Sequence, residues 1–248
     1  MKTAAIIPAR YGSTRFPGKV LAELDGKPIV RWVWENARRS RADRVIIATD
    51  DERVRTAART FGAECVMTSP NHATGSDRIW EAASGIDAEI LINVQGDEPL
   101  IEPEVINGLI DALEEPSGPD IATVAVIHPR KEFENNPNCV KVVFDEKGYA
   151  LYFSRSMIPY LREGGTDTPT YRHWGLYAYR RAALERFVSL PKGRLEQCES
   201  LEQLRALENG MKIKVITTEF QSIGIDTPED LKNAELWISR LKKEKQPE

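Results

Sequence analysis

Three short segments of the sequence carry residue types that handle phosphate and a hard cation. The first is Pro8-Ala9-Arg10-Tyr11-Gly12-Ser13-Thr14-Arg15-Phe16-Pro17-Gly18-Lys19, with two arginines and a lysine within ten residues. Gly12, Ser13 and Gly18 can turn backbone N–H groups toward a ligand while the cations neutralise its charge, the combination a polyphosphate requires. The segment is neither a Walker loop nor a GxGxxG turn, and the competing reading is a solvated basic loop. The second segment is Asn93-Val94-Gln95-Gly96-Asp97-Glu98-Pro99. Its adjacent acids suit Mg²⁺, which takes oxygen ligands and commonly keeps phosphate oxygens in its shell; the competing reading is a turn that starts a helix. The third, Gly224-Ile225-Asp226-Thr227-Pro228-Glu229-Asp230, offers another acid or an ordinary helix cap. Either acidic motif alone says little. With the basic loop they form a constellation.

For these segments to meet, each must leave the same edge of a sheet. Short β-rich runs at Thr3–Pro8, Arg44–Thr49, Glu64–Thr68 and Glu89–Val94 alternate with helical patterns at Pro28–Ser40, Asp51–Phe61, Ser76–Ala83 and Pro103–Leu113. The strand interiors are apolar on both faces, as a parallel sheet covered by helices requires. Repeated strand–helix–strand units predict an α/β fold with a doubly wound, mostly parallel sheet. Such sheets bind ligands beyond the carboxyl ends of their strands, where the basic loop and Asp97 fall. The second half is less regular. It predicts a strand at Ile121–Ile127, a hairpin from Val140 to Ser154 and a mobile loop at 164–169. A strand at Tyr171–Tyr179 comes next, with helices from Arg181 and Leu195 and a parallel-type strand at Met211–Thr217. A last helix starts at Thr227-Pro228-Glu229 and ends in a frayed charged tail. The expectation is one α/β domain over residues 1–248, interrupted at about 130–200 by an antiparallel insertion.

Composition narrows the function classes. Lys+Arg number 34 against 38 Asp+Glu, a net charge of −4, which argues against wrapping duplex nucleic acid. No apolar run approaches the ~18 residues of a membrane span, and the N-terminal apolar run is too short for a signal peptide. Cys65, Cys139 and Cys198 lack paired spacing, so the expectation is three buried thiols in a cytoplasmic protein.

The run Ile7-Pro-Ala-Arg-x-x-Ser-x-Arg-x-x-x-Lys19 resembles the signature of the sugar-acid cytidylyltransferases. Further runs narrow the resemblance: Ala48-Thr-Asp50, Thr74-Gly-Ser-Asp-Arg78, Asn93–Pro99, Ala150-Leu-Tyr-Phe-Ser-Arg155, Leu201-Glu-Gln-Leu-Arg205 and Asp226–Asp230. Together they are similar to the 3-deoxy-manno-octulosonate (Kdo) cytidylyltransferases from about residue 3 to about residue 236. The resemblance implies a fold of the nucleotide-diphospho-sugar transferase type. It also implies an Mg²⁺-dependent reaction in which CTP and Kdo give CMP-Kdo and pyrophosphate for lipopolysaccharide biosynthesis. The antiparallel excursion would then serve sugar binding and a homodimer contact.

The resemblance also assigns roles. Arg10 and Lys19 match triphosphate-binding positions, with Ser13 and Arg15 in the same loop, and Asp97 and Asp226 match the two magnesium-binding acids. These four, Arg10, Lys19, Asp97 and Asp226, are the expected catalytic set. Cytosine recognition is expected near Ala9, Pro70, Thr74, Gly75, Ser76 and Arg78, where a partner for the exocyclic amine would separate C from U. Gln95, Arg155, His173, Tyr177, Glu202 and Gln203 match sugar-contacting positions. Strand alternation puts residues 173, 175 and 177 on one face. His72 is expected to be a loop histidine without a catalytic role. CMP transfer to sialic acid or 8-amino-Kdo, and a nucleotide-binding module without turnover, are the competing functions.

Overall fold

The opening strand is apolar from Ala4 to Ile7 because it is covered on both faces: Ala4, Ala5, Ile6 and Ile7 are all inaccessible to solvent in the computed structural model. The described residues are 1–244, apart from 14, 73, 116–117, 131–135, 164–168 and 221–222. Most of the loop expected to be mobile and the last residues of the tail therefore lie outside them. The chain runs β1 (Thr3–Pro8), one 3-10 turn (Lys19–Leu21), β2 (Glu23–Leu24), β3 (Lys27–Pro28), α1 (Ile29–Ala37) and β4 (Arg44–Thr49). It continues through α2 (Glu52–Thr60), β5 (Glu64–Met67), α3 (Gly75–Ala83), β6 (Ile90–Asn93), α4 (Pro103–Glu114) and β7 (Ile121–His128). Then come β8 (Lys141–Phe144), β9 (Ala150–Ser154), β10 (Thr170–Arg180), α5 (Arg181–Ser189) and α6 (Arg194–Glu199). The last elements are α7 (Gln203–Glu208), β11 (Ile213–Thr218) and α8 (Pro228–Glu244). The class is α/β, mostly parallel strands with an antiparallel group, as the alternating pattern predicts.

Contacts group the chain into two compact units. The first holds Lys2–Asp87, Asn93–Ile106 and Ser222–Glu248. In it β1 pairs in parallel with β4, Ile6 facing Ile46, and β4 pairs in parallel with β5. Helix α1 buries Ile29, Val30, Val33 and Ala37 completely, each large aliphatic chain contributing about 1.5–3 kcal/mol. Asp51 caps α2, its carboxylate accepting from Arg53 N at 2.9 Å, and Gly62 at φ 76° ends it. Reciprocal bonds between Thr227 and Asp230 start α8. A satellite cluster of Leu24, Ile29, Ile225, Ala234 and Ile238 then fixes the Asp226 segment against the first helix.

One feature here escapes the alternation pattern. Pro28 stands at the N-cap of α1, not in its first turn, because β2 and β3 form a hairpin just before it. Asp25 and Gly26 both have positive φ, 50° and 76°. That is the left-handed pair a two-residue Asp-Gly turn demands, and the dipeptide was its signal.

The second unit comprises Met1, Ala88–Ile92 and Asn107–Gln221. Here β11 runs parallel to β7, whereas β10 is antiparallel to β7 and to β8, and β8–β9 is a hairpin turning at Gly148. Two expectations need correcting. The helix expected from Leu195 is broken: Ser200 takes a left-handed conformation (φ 51°, ψ 48°) between α6 and α7, so Glu202 is the N-cap of α7 rather than a mid-helix residue. The thiols are also not all buried: Cys65 and Cys139 are half-buried, and Cys198 on α6 is exposed.

Candidate active site

The first unit gathers the three chemistry-bearing segments into one cleft of about 390 Å³. Arg10, Ser13, Arg15 and Lys19 line it with Asp97 and Asp226. Three cations against two carboxylates leave the cleft net positive, as a polyphosphate site requires.

Local geometry explains why each residue points there. Val94 N donates to Ile6 O (3.0 Å), holding the segment after β6 beside β1, and Ile225 N donates to Asp97 O (2.9 Å), tying the two acidic segments together. Gly96 is required where it sits, since a Cβ there would lie 2.6 Å from Pro8 O. The basic loop closes on itself: Gly18 N donates to Tyr11 O (2.9 Å), with Gly18 in the left-handed region (φ 72°). The Tyr11 ring lies under the Arg53 guanidinium, 3.4 Å from its centroid. The loop thus delivers Lys19 at the start of a 3-10 turn, which loop composition alone does not reveal.

Lys19 Nζ stands 2.5 Å from Asp97 Oδ2 and 2.9 Å from Asp226 Oδ1. Two carboxylates from remote parts of the chain therefore converge on one cation-sized point. Burial alone would lower the Lys19 pKa. The charges and hydrogen bonds of Asp97 and Asp226 outweigh it, and the ammonium is held above the ordinary lysine value. Burial would likewise raise Asp226, but Lys19 and Arg15 hold its carboxyl below the usual range. Arg15 Nη2 reaches Asp226 Oδ2 at 2.8 Å, though both side chains are largely exposed, so that pair adds little stability.

The donor set suits a magnesium ion. Two hard carboxylate oxygens facing one cationic point match an ion that takes one or two carboxylates and fills its shell with phosphate and water. Among the described residues no group of three or more His, Cys, Asp or Glu side chains is positioned to hold a metal. The protein's share would accordingly be the two aspartates.

The residues expected near cytosine divide. Gly75 lines the cleft beside Gln95, together with Gly12 of the basic loop and with Pro8, Val20 and Gly96, to which no role was assigned. Ala9, Pro70, Thr74, Ser76 and Arg78 are not in its wall. Ala9 is buried with both main-chain groups engaged, by Ala48 O (2.8 Å) and the Thr49 hydroxyl (2.6 Å). Thr74 forms a capping box with Asp77, and Ser76 is buried in α3. Pro70 is exposed. Arg78 is fully buried, its Nη2 2.7 Å from Asp50 Oδ2, its Nη1 donating to Thr68 Oγ1, and its Nε without an acceptor among the described residues. His72 pairs through Nε2 with Glu81, and its carbonyl accepts from Arg10 Nη2.

The sugar-matching residues other than Gln95 lie in the second unit. His173 and Tyr177 are four residues apart, about 13 Å along a regular strand, yet their ring centroids are 5.5 Å apart. A bulge between Trp174 and Tyr177 shortens the strand, and Thr123 fills it, donating from Oγ1 to Leu176 O at 2.8 Å. Alternation thus identified the shared face but not the contraction. Since that hydroxyl spends its hydrogen on Leu176, His173 Nε2 is the donor to Thr123 (3.0 Å) and Nδ1 keeps a lone pair. Arg155 gives its guanidinium to the carbonyls of Glu199 (2.6 Å), Pro137 (2.8 Å) and Ser200 (3.2 Å). Gln203 is buried, with no hydrogen-bond partner for its Nε2 among the described residues, and Glu202 lies 3.5 Å from Arg205.

Burial, with Arg172 nearby, pushes the His173 pKa down to about 3, against roughly 6.5 in an unfolded chain. Between those values the unfolded chain binds the extra proton, so this contribution to stability is complete above pH 6.5 and is lost as pH falls toward 3. Thermal unfolding measured from pH 7 to pH 4 should show a steeper loss in the wild type than in His173→Gln. Parallel curves would contradict the assignment.

A cytidylyltransferase family model matches residues 4–213. The chain is 51% identical to a 3-deoxy-manno-octulosonate cytidylyltransferase of Thermodesulfovibrio yellowstonii, over 95% of this chain and 97% of that one. It is 48% identical to the protein of the same name from Trichlorobacter lovleyi, over 94% and 97%. Among solved structures it superimposes with TM-score 0.93 and 39% identity on a CMP:2-keto-3-deoxy-manno-octonic acid synthetase complexed with CTP, covering 97% of this chain and all of that one. Fold and sequence comparisons agree, and the chain belongs to the 3-deoxy-manno-octulosonate cytidylyltransferase family.

Proposed function

We propose that this protein transfers the cytidylyl group of CTP to Kdo, giving CMP-Kdo and pyrophosphate. The observation that carries the reading is the Lys19 ammonium bridging Asp97 and Asp226 in a cleft that also holds Arg10 and Arg15. In the reaction the anomeric hydroxyl oxygen of Kdo bonds to the α-phosphorus, the bond to the bridging oxygen of pyrophosphate breaks, and the hydroxyl proton leaves to water. Positioning and charge neutralisation dominate such transfers. Arg10, Arg15 and Lys19 neutralise the triphosphate, and the loop N–H groups around Gly12 and Ser13 orient it. Asp97 and Asp226 are the ligands assigned to a magnesium ion. When bound it supplies charge neutralisation at the phosphoryl oxygens and lowers the pKa of the attacking hydroxyl.

The Kdo carboxylate and hydroxyls are assigned to His173, Tyr177, Glu202 and Gln203 of the second unit, while Gln95, which also matches a sugar-contacting position, lines the cleft of the first. The buried amide nitrogen of Gln203, without a partner among the described residues, supports this, because an incoming hydroxyl would satisfy it. Arg155, committed to three carbonyls, serves the sugar site by fixing the ends of β9 and α6. The antiparallel excursion at about 130–200 is assigned the homodimer contact within one nucleotidyltransferase domain, supported by exposed Leu151, Tyr160 and Leu161. No described helix is long and apolar enough to cross a membrane; the cytoplasmic placement rests on the unpaired spacing of Cys65, Cys139 and Cys198.

The test is pyrophosphate release from a panel of Kdo, 8-amino-Kdo and sialic acid, each with CTP and Mg²⁺. Release with Kdo that vanishes when CTP or Mg²⁺ is withheld is expected. Release with sialic acid and not Kdo would overturn the substrate assignment.

A further inference from the structure

Glu81 lies on α3, away from the cleft wall, and no step proposed above uses it. Its Oε2 nevertheless accepts from Ser69 N (2.8 Å) and meets His72 Nε2, so one carboxylate oxygen grips two points of the loop before α3. The Ser69 N–H, then the His72 contact, hold the Glu81 carboxyl below its usual range despite desolvation. The same loop supplies carbonyls to Arg10: Nη2 donates to His72 O and, at 3.5 Å, to Thr74 O. Arg10 is a long, half-buried side chain with about 2 kcal/mol of rotamer entropy to lose. Its direction in the cleft is set by those acceptors. Charge-assisted bonds are about twice as strong as neutral ones, and Glu81 applies two of them between the ends of the loop, which Thr68 and the Thr74 capping box hold.

We propose that Glu81 is a positioning residue for the nucleotide triphosphate, acting through Ser69 and His72 to fix the loop whose carbonyls aim Arg10. The inference rests on the reading of Arg10 as a triphosphate ligand, and its test separates the two. CTP affinity is measured directly, without turnover, for wild type, Glu81→Ala, Arg10→Ala and the double variant, together with melting temperature and the KM for Kdo. Glu81→Ala should weaken CTP binding roughly tenfold, the lower end of what is lost when a group supporting a metal ligand is removed, taken here as the scale for supporting Arg10, with the KM for Kdo unchanged. In the Arg10→Ala background the same change should cost less than about twofold, because coupled residues do not add. If Glu81→Ala fails to fold, Glu81→Gln carries the same cycle: it can still accept from Ser69 but loses the charge facing His72. Equal losses in both backgrounds, or no loss in either, would overturn the inference while leaving the functional reading intact. Failure of the wild type to bind CTP would instead overturn the functional reading and remove the ground of this one.

Discussion

Asp97→Asn is expected to lower turnover on the order of 10³-fold, about 4 kcal/mol of transition-state stabilisation, with a melting temperature near that of the wild type. The two halves of that result come from different atoms. The main-chain carbonyl of Asp97 accepts from Ile225 N and keeps the acidic segments together whatever the side chain is. The side chain is of nearly the same volume after the change, and its remaining oxygen can still accept from Lys19. Only the charge disappears. If that charge is one of two holding a divalent ion against the phosphates, catalysis fails while the fold stays. Pyrophosphate release and a thermal melt on one preparation check both halves. Unchanged turnover would remove Asp97 from the role.

Lys19→Met is expected to reduce turnover roughly 10²–10³-fold, in the range of losing one preorganised donor to developing charge, and to do something Asp97→Asn does not. Lys19 is mostly buried between two carboxylates, its side chain only 14% exposed. Without it those carboxylates face each other with Arg15 as the remaining cation on Asp226, and like charges so close destabilise the ligand-free protein. The variant should therefore melt below wild type, and added Mg²⁺ should raise its melting temperature more than the wild type's, because no ammonium competes for the carboxylates. Activity should not return with the metal. An equal response of both proteins to Mg²⁺ would show that Lys19 does not stand where a cation binds.

How much of this was legible in the sequence differs between the two units. In the first, regular rules sufficed. Strands with apolar interiors, the Asp51 cap, the Gly62 stop and the Thr227–Asp230 start each fix an element by local chemistry, so Asp97 and Asp226 stand out as charged residues between regular elements, and Lys19 as the cation that ends the basic loop. The Asp25-Gly26 hairpin was legible from its dipeptide but masked by the helix pattern beside it. In the second unit the features that matter are departures from period. The bulge that brings His173 to Tyr177 depends on Thr123 from another strand, and no spacing within β10 encodes it. The break at Ser200 requires a left-handed serine, which sequence does not favour. Arg155 carries the same charge whether it faces a sugar or three carbonyls, and only tertiary contacts distinguish the two. Glu81 was invisible for the same reason, since its partner loop is recognised only once folded.

The central claim is that Asp97 and Asp226 share one divalent ion beside Lys19 when CTP is bound. The most direct measurement is anomalous diffraction from crystals grown with CTP and Mn²⁺, which suits the same carboxylate and phosphate ligands. One manganese peak is expected within bonding distance of an oxygen of each aspartate and of a phosphate oxygen. A peak bound to phosphate alone, with either carboxylate still turned to Lys19 and away from the metal, would contradict it.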